Sequence, residues 1–398
     1  METGMKKEKT VMLISQSLAG GGAEKVAANL SLELIKKCNV IFVTYEQTEN
    51  EYQFGGLRVN IHCPGGESNL LVKIVTALNR IKKISQLKKK YKVDCSISFV
   101  PQTDYANVCS KVKGCKNFIE VSSNSSMAFQ SGILREVRKI LLKAADRVIV
   151  VSEGSREDVV ENFGVNREKT AVIYNTCDIA AIHESLTQES HICDRKYIVT
   201  VGSFRYPKGH WHLIKAFSEI ADQIPDYDLV ILGDGQYREK YNELIHNLGI
   251  DKSRIKMPGY IPNPYSAIKN SSLFVFSSIF EGFGNVIIEA MACGVPVLSV
   301  DCDFGPKEIL EPSMNVKDPI TTFYKAEYGW LLPAFSKEDI DMTNAINTEE
   351  KRLGSAILDC LRDTQQMEIY RAKGLTRCLD FSTSRIVDQW IEVLDTKE

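Results

Sequence analysis

Two hydrophobic rhythms alternate along the chain. Short apolar runs are followed by longer stretches in which apolar residues recur every three or four positions. In the first half, the runs 10–16, 40–45, 59–62, 95–100, 117–122, 147–152 and 171–175 predict strands. Helical spacing falls between them: Val26, Ala27, Leu30, Leu32 and Leu34 in one stretch, Leu71, Ile74, Val75, Leu78, Ile81, Ile84 and Leu87 in another, and further helices at 133–145 and, behind Ser155 as N-cap, to Asn162. Residues 180–195 are polar and without period, and the same rhythm then restarts at 197–202. Strand, loop and helix repeated in this way predict doubly wound α/β domains whose strands are parallel and buried on both faces.

Length turns that into two domains, because 398 residues exceed what one typical core organises. The expected division is 1–185 and 186–379, with a last helix at about 380–398. Apolar content of 44% and charged content of 25% are ordinary for a soluble protein, and a net charge of −2 gives no footprint for nucleic acid. No apolar run approaches the roughly 18 residues of a spanning helix, and no signal-peptide core follows the N-terminus. Eleven scattered cysteines without a Cys-x-x-Cys pair suggest reduced thiols, a cytoplasmic location and no structural zinc. Charge is concentrated at one place. The 70–92 helix carries Lys73, Arg80, Lys82, Lys83, Lys88, Lys89, Lys90 and Lys92 beside its apolar stripe. The stripe is expected in the core. The basic positions are expected either as a solvated face or as a peripheral contact with an anionic membrane.

The densest chemistry lies at 278–297. An apolar strand ends at Ser277, Gly282 and Gly284 break it, and good helix formers run from Asn285 to a stop at Gly294-Val295-Pro296. A glycine turn feeding a helix leaves free N–H groups aimed at whatever lies above the strand, which suits a phosphate. Glu281 and Glu289 bracket that turn. A second glycine turn, Gly20-Gly21-Gly22, follows the first strand without the Gly-x-Gly-x-x-Gly spacing of dinucleotide sites. Arg205 and Lys208 occupy the loop after the strand at 197–202. Asp301-Cys302-Asp303 has the Asp-x-Asp form of some metal sites, but it follows a short strand next to the Glu289 helix and is not read as a metal site.

The string Glu281-Gly-Phe-Gly, then Glu289-Ala-Met-Ala, then Gly294-Val-Pro-Val resembles the nucleotide-sugar site of retaining glycosyltransferases of family 4. Gly21-Gly22-Ala23-Glu24, the Arg205/Lys208 loop, Gly233-Asp234-Gly235 and Gly329-Trp330-Leu331-Leu332-Pro333 resemble further landmarks of that family. The resemblance implies a GT-B architecture, with two Rossmann-like domains facing across a cleft, the last helix, at about 380–398, packing back on the first domain, and no cofactor or metal. It implies that Glu281, Arg205 and Lys208 act in catalysis. Glu289 would take the ribose hydroxyls. Backbone groups at Phe283, Gly284, Asn285 and Val286, with Gly21 and Gly22, would hold the donor phosphates, and Tyr260 and Ile261 would lie at the base. The implied partners are a nucleotide diphosphate sugar, with UDP and a hexose or N-acetylhexosamine preferred, and a glycan or polyprenyl-diphosphate-linked acceptor of surface or capsular polysaccharide synthesis. Configuration would be retained, by a front-face route or a short-lived covalent species. The chain departs from the pattern at Ser122, Ser123 and Asn124, where many members carry a histidine, so no catalytic histidine carries over from the first domain. The alternatives are a non-catalytic sugar-nucleotide-binding subunit, a phosphorylase or an epimerase.

Overall fold

The computed structural model describes residues 9–19, 22–65, 69–122, 125, 129, 131–187, 192–337 and 341–396. The chain divides into two compact units, Met1–Thr176 with Thr383–Glu398, and Cys177–Ser382.

The first unit is built on a parallel sheet of β1 (Thr10–Ser15), β2 (Asn39–Thr44), β3 (Leu57–Asn60), β4 (Cys95–Ser98), β5 (Lys116–Val121), β6 (Arg147–Val150) and β7 (Thr170–Val172). Their spatial order is β3-β2-β1-β4-β5-β6-β7. The helices are α1 (Gly22–Leu34), α2 (Leu70–Lys90), α3 (Pro101–Cys109), α4 (Ile133–Ala144) and α5 (Glu153–Phe163). In β1, Val11 and Leu13 join the core beneath α1, while Met12 and Ile14 join a separate core on the opposite face. Both faces are covered, so the strand reads as a continuous apolar run rather than an alternation. The C-terminal helix Thr383–Asp395 buries Ile386, Val387, Trp390 and Leu394 in the α1 core, with the Trp390 ring 6.3 Å from that of Phe99. The α5 helix starts a turn earlier than its sequence suggests. Ser152, not Ser155, is the N-cap, and its Oγ accepts the Ser155 N–H.

The second unit repeats the plan with β8 (Lys196–Val201), β9 (Tyr227–Leu232), β10 (Ile255–Gly259), β11 (Leu273–Phe276), β12 (Val297–Val300), β13 (Tyr324–Lys325) and β14 (Trp330–Leu332). The order is β10-β9-β8-β11-β12-β14-β13, parallel except for β13 on the edge. Its helices are α6 (Ile179–Ser185), α7 (His210–Ile220), α8 (Arg238–Asn247), α9 (Tyr265–Lys269), α10 (Asn285–Ala292), α11 (Pro306–Leu310), α12 (Thr348–Arg362) and α13 (Thr364–Arg377). Because α6 packs on α9 and α10, this unit begins at Cys177, ahead of the polar stretch at 180–195. In each sheet the strand order reverses once, between β1 and β4 and between β8 and β11. Connections leave such a pair toward opposite faces, and a crevice opens at the carboxyl ends of the two strands.

The 70–92 helix forms, but its faces are not distributed as the pattern suggests. Ile84 is buried, whereas Leu71, Val75 and Leu78 are more than half exposed, at 72%, 56% and 61%. Part of the basic set is internal. The Arg80 guanidinium lies over the Tyr45 ring at 4.3 Å and donates to the Cys63 carbonyl, and Lys88 Nζ is fully buried among Asn107 and Asn117 oxygens. Long cationic side chains carry enough methylene to pack where their heads find carbonyl partners.

Candidate active site

The reversal in the second sheet puts the loops after β8 and β11 side by side. Gly209 closes the first loop with φ 57°, and a Cβ there would stand 2.1 Å from the Ser277 carbonyl oxygen. That close approach lets Ile279 N–H donate to Pro207 O at 2.8 Å and Ser277 Oγ donate to Lys208 O at 3.1 Å. The loop carrying Lys208 is thereby fastened to the loop carrying Glu281. Lys208 Nζ reaches Glu281 Oε1 at 2.5 Å, and Ser278 Oγ donates to the same oxygen at 2.8 Å. Both side chains keep partial solvent access, 25% for Lys208 and 16% for Glu281. Arg205, in the same loop, is exposed, and its guanidinium has no partner among the described residues.

The turn after β11 is held from the other side by the loop after β12. Glu281 N–H donates to Asp303 O at 3.2 Å, and Phe280 bridges to Asp303. Gly305 lets this loop press against the turn, since a Cβ on it would lie 1.7 Å from Phe283 O. Asp301 and Asp303 are engaged separately, Asp301 by Lys307 at 3.0 Å and Asp303 by Lys337. Gly284 is the N-cap of α10, so the first N–H groups of that helix, from Asn285 and Val286, follow directly on the glycine turn. Phe283 is buried against Phe381, with ring centroids 5.6 Å apart, and only its backbone belongs to the turn's polar surface. Glu289, half-buried one turn into α10, sits close enough to Tyr265 for its charge to push that phenol's pKa up, after burial, which contributes most. Tyr265 opens α9, just beyond Tyr260 and Ile261 at the end of β10. Tyr260 is 77% exposed and Ile261 is half-buried.

Behind the cations, His210 is buried at the start of α7. Its Nε2 lies 3.3 Å from Gly202 O, and burial, with some help from the Lys208 charge, lowers its pKa to about 4. A neutral imidazole there adds no charge beside Lys208 at pH 7. His212 is also internal, with Nδ1 3.0 Å from Glu350 Oε1 and its ring stacked on Phe335. Neither histidine lies on an open helix face. Asp234 orders its own turn by accepting from Gly235 N–H and Arg238 Nε.

In the first unit, Gly22 begins α1 and is exposed, and Gly21 lies outside the described residues, as do Ser123 and Asn124. The sequence reading missed Glu120 there. It is the next-to-last residue of β5 at 3% exposure, and neither carboxylate oxygen meets the distance and angle of a hydrogen bond among the described residues. Burial above all, with the Asp104 charge next, raises its pKa well above the usual carboxylate range. Arg138 and the nearby Ser122 hydroxyl oppose the shift. The signal was available, because a carboxylate inside the apolar run Asn117-Phe118-Ile119-Glu120-Val121 is out of place in a buried strand. Ser278 and Tyr265 were also missed. Each is an ordinary residue whose contact with a candidate glutamate depends on the fold.

Comparison with known families agrees with this geometry. Residues 181–315 match the model described as glycosyl transferases group 1, and residues 117–181 match glycosyltransferase family 4, so the two together span half of the chain. The chain is 26% identical over 391 residues to a Campylobacter jejuni enzyme, N-acetylgalactosamine-N,N'-diacetylbacillosaminyl-diphospho-undecaprenol 4-alpha-N-acetylgalactosaminyltransferase, covering 95% of this chain and 97% of that one. It is 29% identical over 334 residues to an uncharacterized glycosyltransferase of Methanocaldococcus jannaschii, covering 79% and 82%. Among solved structures, Anabaena HepE in complex with UDP and glucose superposes with a TM-score of 0.73 at 18% identity over 97% of this chain and 99% of that one. Staphylococcus aureus TarM, in a complex that also holds UDP, superposes with a TM-score of 0.74 at 14% identity over 98% and 100%.

Proposed function

Because the chain is a glycosyltransferase of the family 4 type with the GT-B fold, we propose that it moves a hexose or N-acetylhexosamine from a UDP-sugar to a lipid-linked glycan, with retention of configuration. The observation that carries this reading is the Lys208–Glu281 pair at the β8/β11 reversal, with Arg205 exposed on the same loop and the N-terminus of α10 beside it. The pair places positive and negative charge next to each other, which is what the chemistry needs. As the bond from the anomeric carbon to the diphosphate breaks, negative charge grows on the leaving oxygen and positive charge on the ring. Arg205, Lys208 and the amides of Asn285 and Val286 would meet the first, and Glu281 the second. The acceptor hydroxyl forms the new bond to the anomeric carbon, and its proton passes to the departing diphosphate. Glu289 would hold the ribose hydroxyls, with Tyr260 and Ile261 near the base.

UDP is the first nucleotide to test, since the structures of similar fold were solved with it. A lipid-linked acceptor is favoured by the full-length similarity to the Campylobacter jejuni transferase, whose name specifies a diphospho-undecaprenol substrate. Synthesis of a surface or capsular polysaccharide is the corresponding setting. The test is a panel of nucleotide sugars scored for nucleoside diphosphate release, followed by proton NMR of the product's anomeric coupling. Release from a UDP-sugar with an α-linked product from an α-donor is the expected result. Binding without release from any donor would favour a non-catalytic sugar-nucleotide-binding subunit, and an inverted product would remove the retaining mechanism.

A further inference from the structure

Two serines, Ser277 and Ser278, follow the apolar strand β11 and precede Ile279 and Phe280. Each is only 1% exposed. A hydroxyl buried in such a run is costly unless it is hydrogen-bonded, so its partner accounts for its presence. The two are used differently. Ser277 Oγ donates to a backbone group, Lys208 O, and fastens one loop to the next. Ser278 Oγ donates to a side chain, Glu281 Oε1, at 2.8 Å. A serine hydroxyl has one proton to give, and Ser278 gives it to the carboxylate on which the proposed reaction depends.

Both hydrogen bonds to this carboxylate end on the same oxygen. Oε1 accepts from Lys208 Nζ and Ser278 Oγ, and Oε2 accepts from no group among the described residues. The side chain keeps 16% of its surface accessible, and its backbone is fixed separately through the N–H to Asp303 O. The two anchors differ in kind. Lys208 is a partly exposed ammonium on a long flexible stem, in the loop expected to meet the diphosphate. Ser278 is a short buried side chain at the end of a central strand. When phosphate draws the ammonium away, Ser278 still holds Oε1. We propose that Ser278 is a positioning residue of the transferase: it holds Glu281 by Oε1, independently of Lys208, so that Oε2 is the oxygen presented to the donor sugar. The inference rests on the transferase reading. It adds which oxygen of Glu281 meets the donor and what keeps it aimed once Lys208 turns to phosphate.

Two mutant cycles on the full chain test this. Ser278→Ala is made alone, with Glu281→Ala and with Lys208→Ala. UDP release is followed from UDP-glucose, UDP-galactose, UDP-N-acetylglucosamine and UDP-N-acetylgalactosamine, and the donor that the wild type turns over fastest is kept. Loss of one hydrogen bond to a charged group should lower kcat about tenfold in Ser278→Ala. The Kd for UDP, read by calorimetry, should stay within about twofold of the wild type, because the lost interaction belongs to the sugar end of the donor. Since Ser278 acts through Glu281, adding Ser278→Ala to Glu281→Ala should lower kcat no further. Since it acts independently of Lys208, adding it to Lys208→Ala should cost about tenfold again. An unchanged kcat in Ser278→Ala would overturn the positioning role. So would a full loss that persists in the Glu281→Ala background, as general loosening of β11 would give, or no loss in the Lys208→Ala background. Each of these outcomes leaves the transferase reading standing, because the wild type still releases UDP. Release by the wild type from none of the four donors is the failure of that reading, and the positioning role falls with it.

Discussion

At the residue scale the account turns on two glutamates with different surroundings. Glu281 is tied to Lys208 and Ser278 through one oxygen, so it is oriented before any ligand arrives. Glu289 stands a turn into α10, near Tyr265. Glu281→Ala should therefore lower kcat by about 100-fold or more while changing the Kd for UDP little. Glu289→Ala should weaken UDP-sugar binding about tenfold, the value of a charge-assisted hydrogen bond, with a smaller effect on kcat. Steady-state kinetics and calorimetry separate the two, and small, equal effects would overturn the assigned roles. Both residues were singled out because the string from Glu281 to Val297 resembles the family's nucleotide-sugar site, and a glycine turn does open α10 there. Glu120 was not singled out, because its interest comes from burial with no hydrogen bond of good geometry among the described residues, which depends on the neighbouring strands and α3.

At the scale of elements, glycines decide which loops meet. Gly209 adopts φ 57° with its Cα against the Ser277 carbonyl, and that approach sets Lys208 beside Glu281. Gly209→Ala combines left-handed strain with a steric overlap, a cost of about 2 kcal/mol. Thermal unfolding should show a drop of about 5 °C, and kcat should fall at least about tenfold as Lys208 is displaced. A variant with unchanged melting and turnover would show that the loop contact is dispensable. Most elements of the first unit were readable from periodicity, α1, α2 and α4 among them, because their apolar positions repeat over three or more turns. Two of the shortest in the second unit were not. The α11 helix has five residues and the edge strand β13 two, too few for any period to appear. The faces of α2 were misread for a different reason, since a stripe of suitable period reports that a helix will form, not which part of its length finds a partner.

At the scale of the molecule, two sheets of the same strand order each open one crevice at their carboxyl edge. The doubling was legible as a rhythm that stops in a polar stretch and restarts. The last helix was expected, from the fold the chain resembles, to cross back onto the first domain, and Trp390 and Ile386 are buried beside α1. In the second unit the expected site residues gather at the ends of β8, β10 and β11, whereas in the first unit the glycine turn is described only from Gly22 onward. The central claim is thus that the second unit holds the donor through its β8/β11 reversal. Calorimetric titration of the full chain with UDP tests it most directly, using wild type, Arg205→Ala and Lys208→Ala. The account predicts binding by the wild type and a Kd raised about tenfold or more in each variant, as expected for the loss of a charge-assisted contact to phosphate. Equal UDP affinity in all three proteins would contradict it.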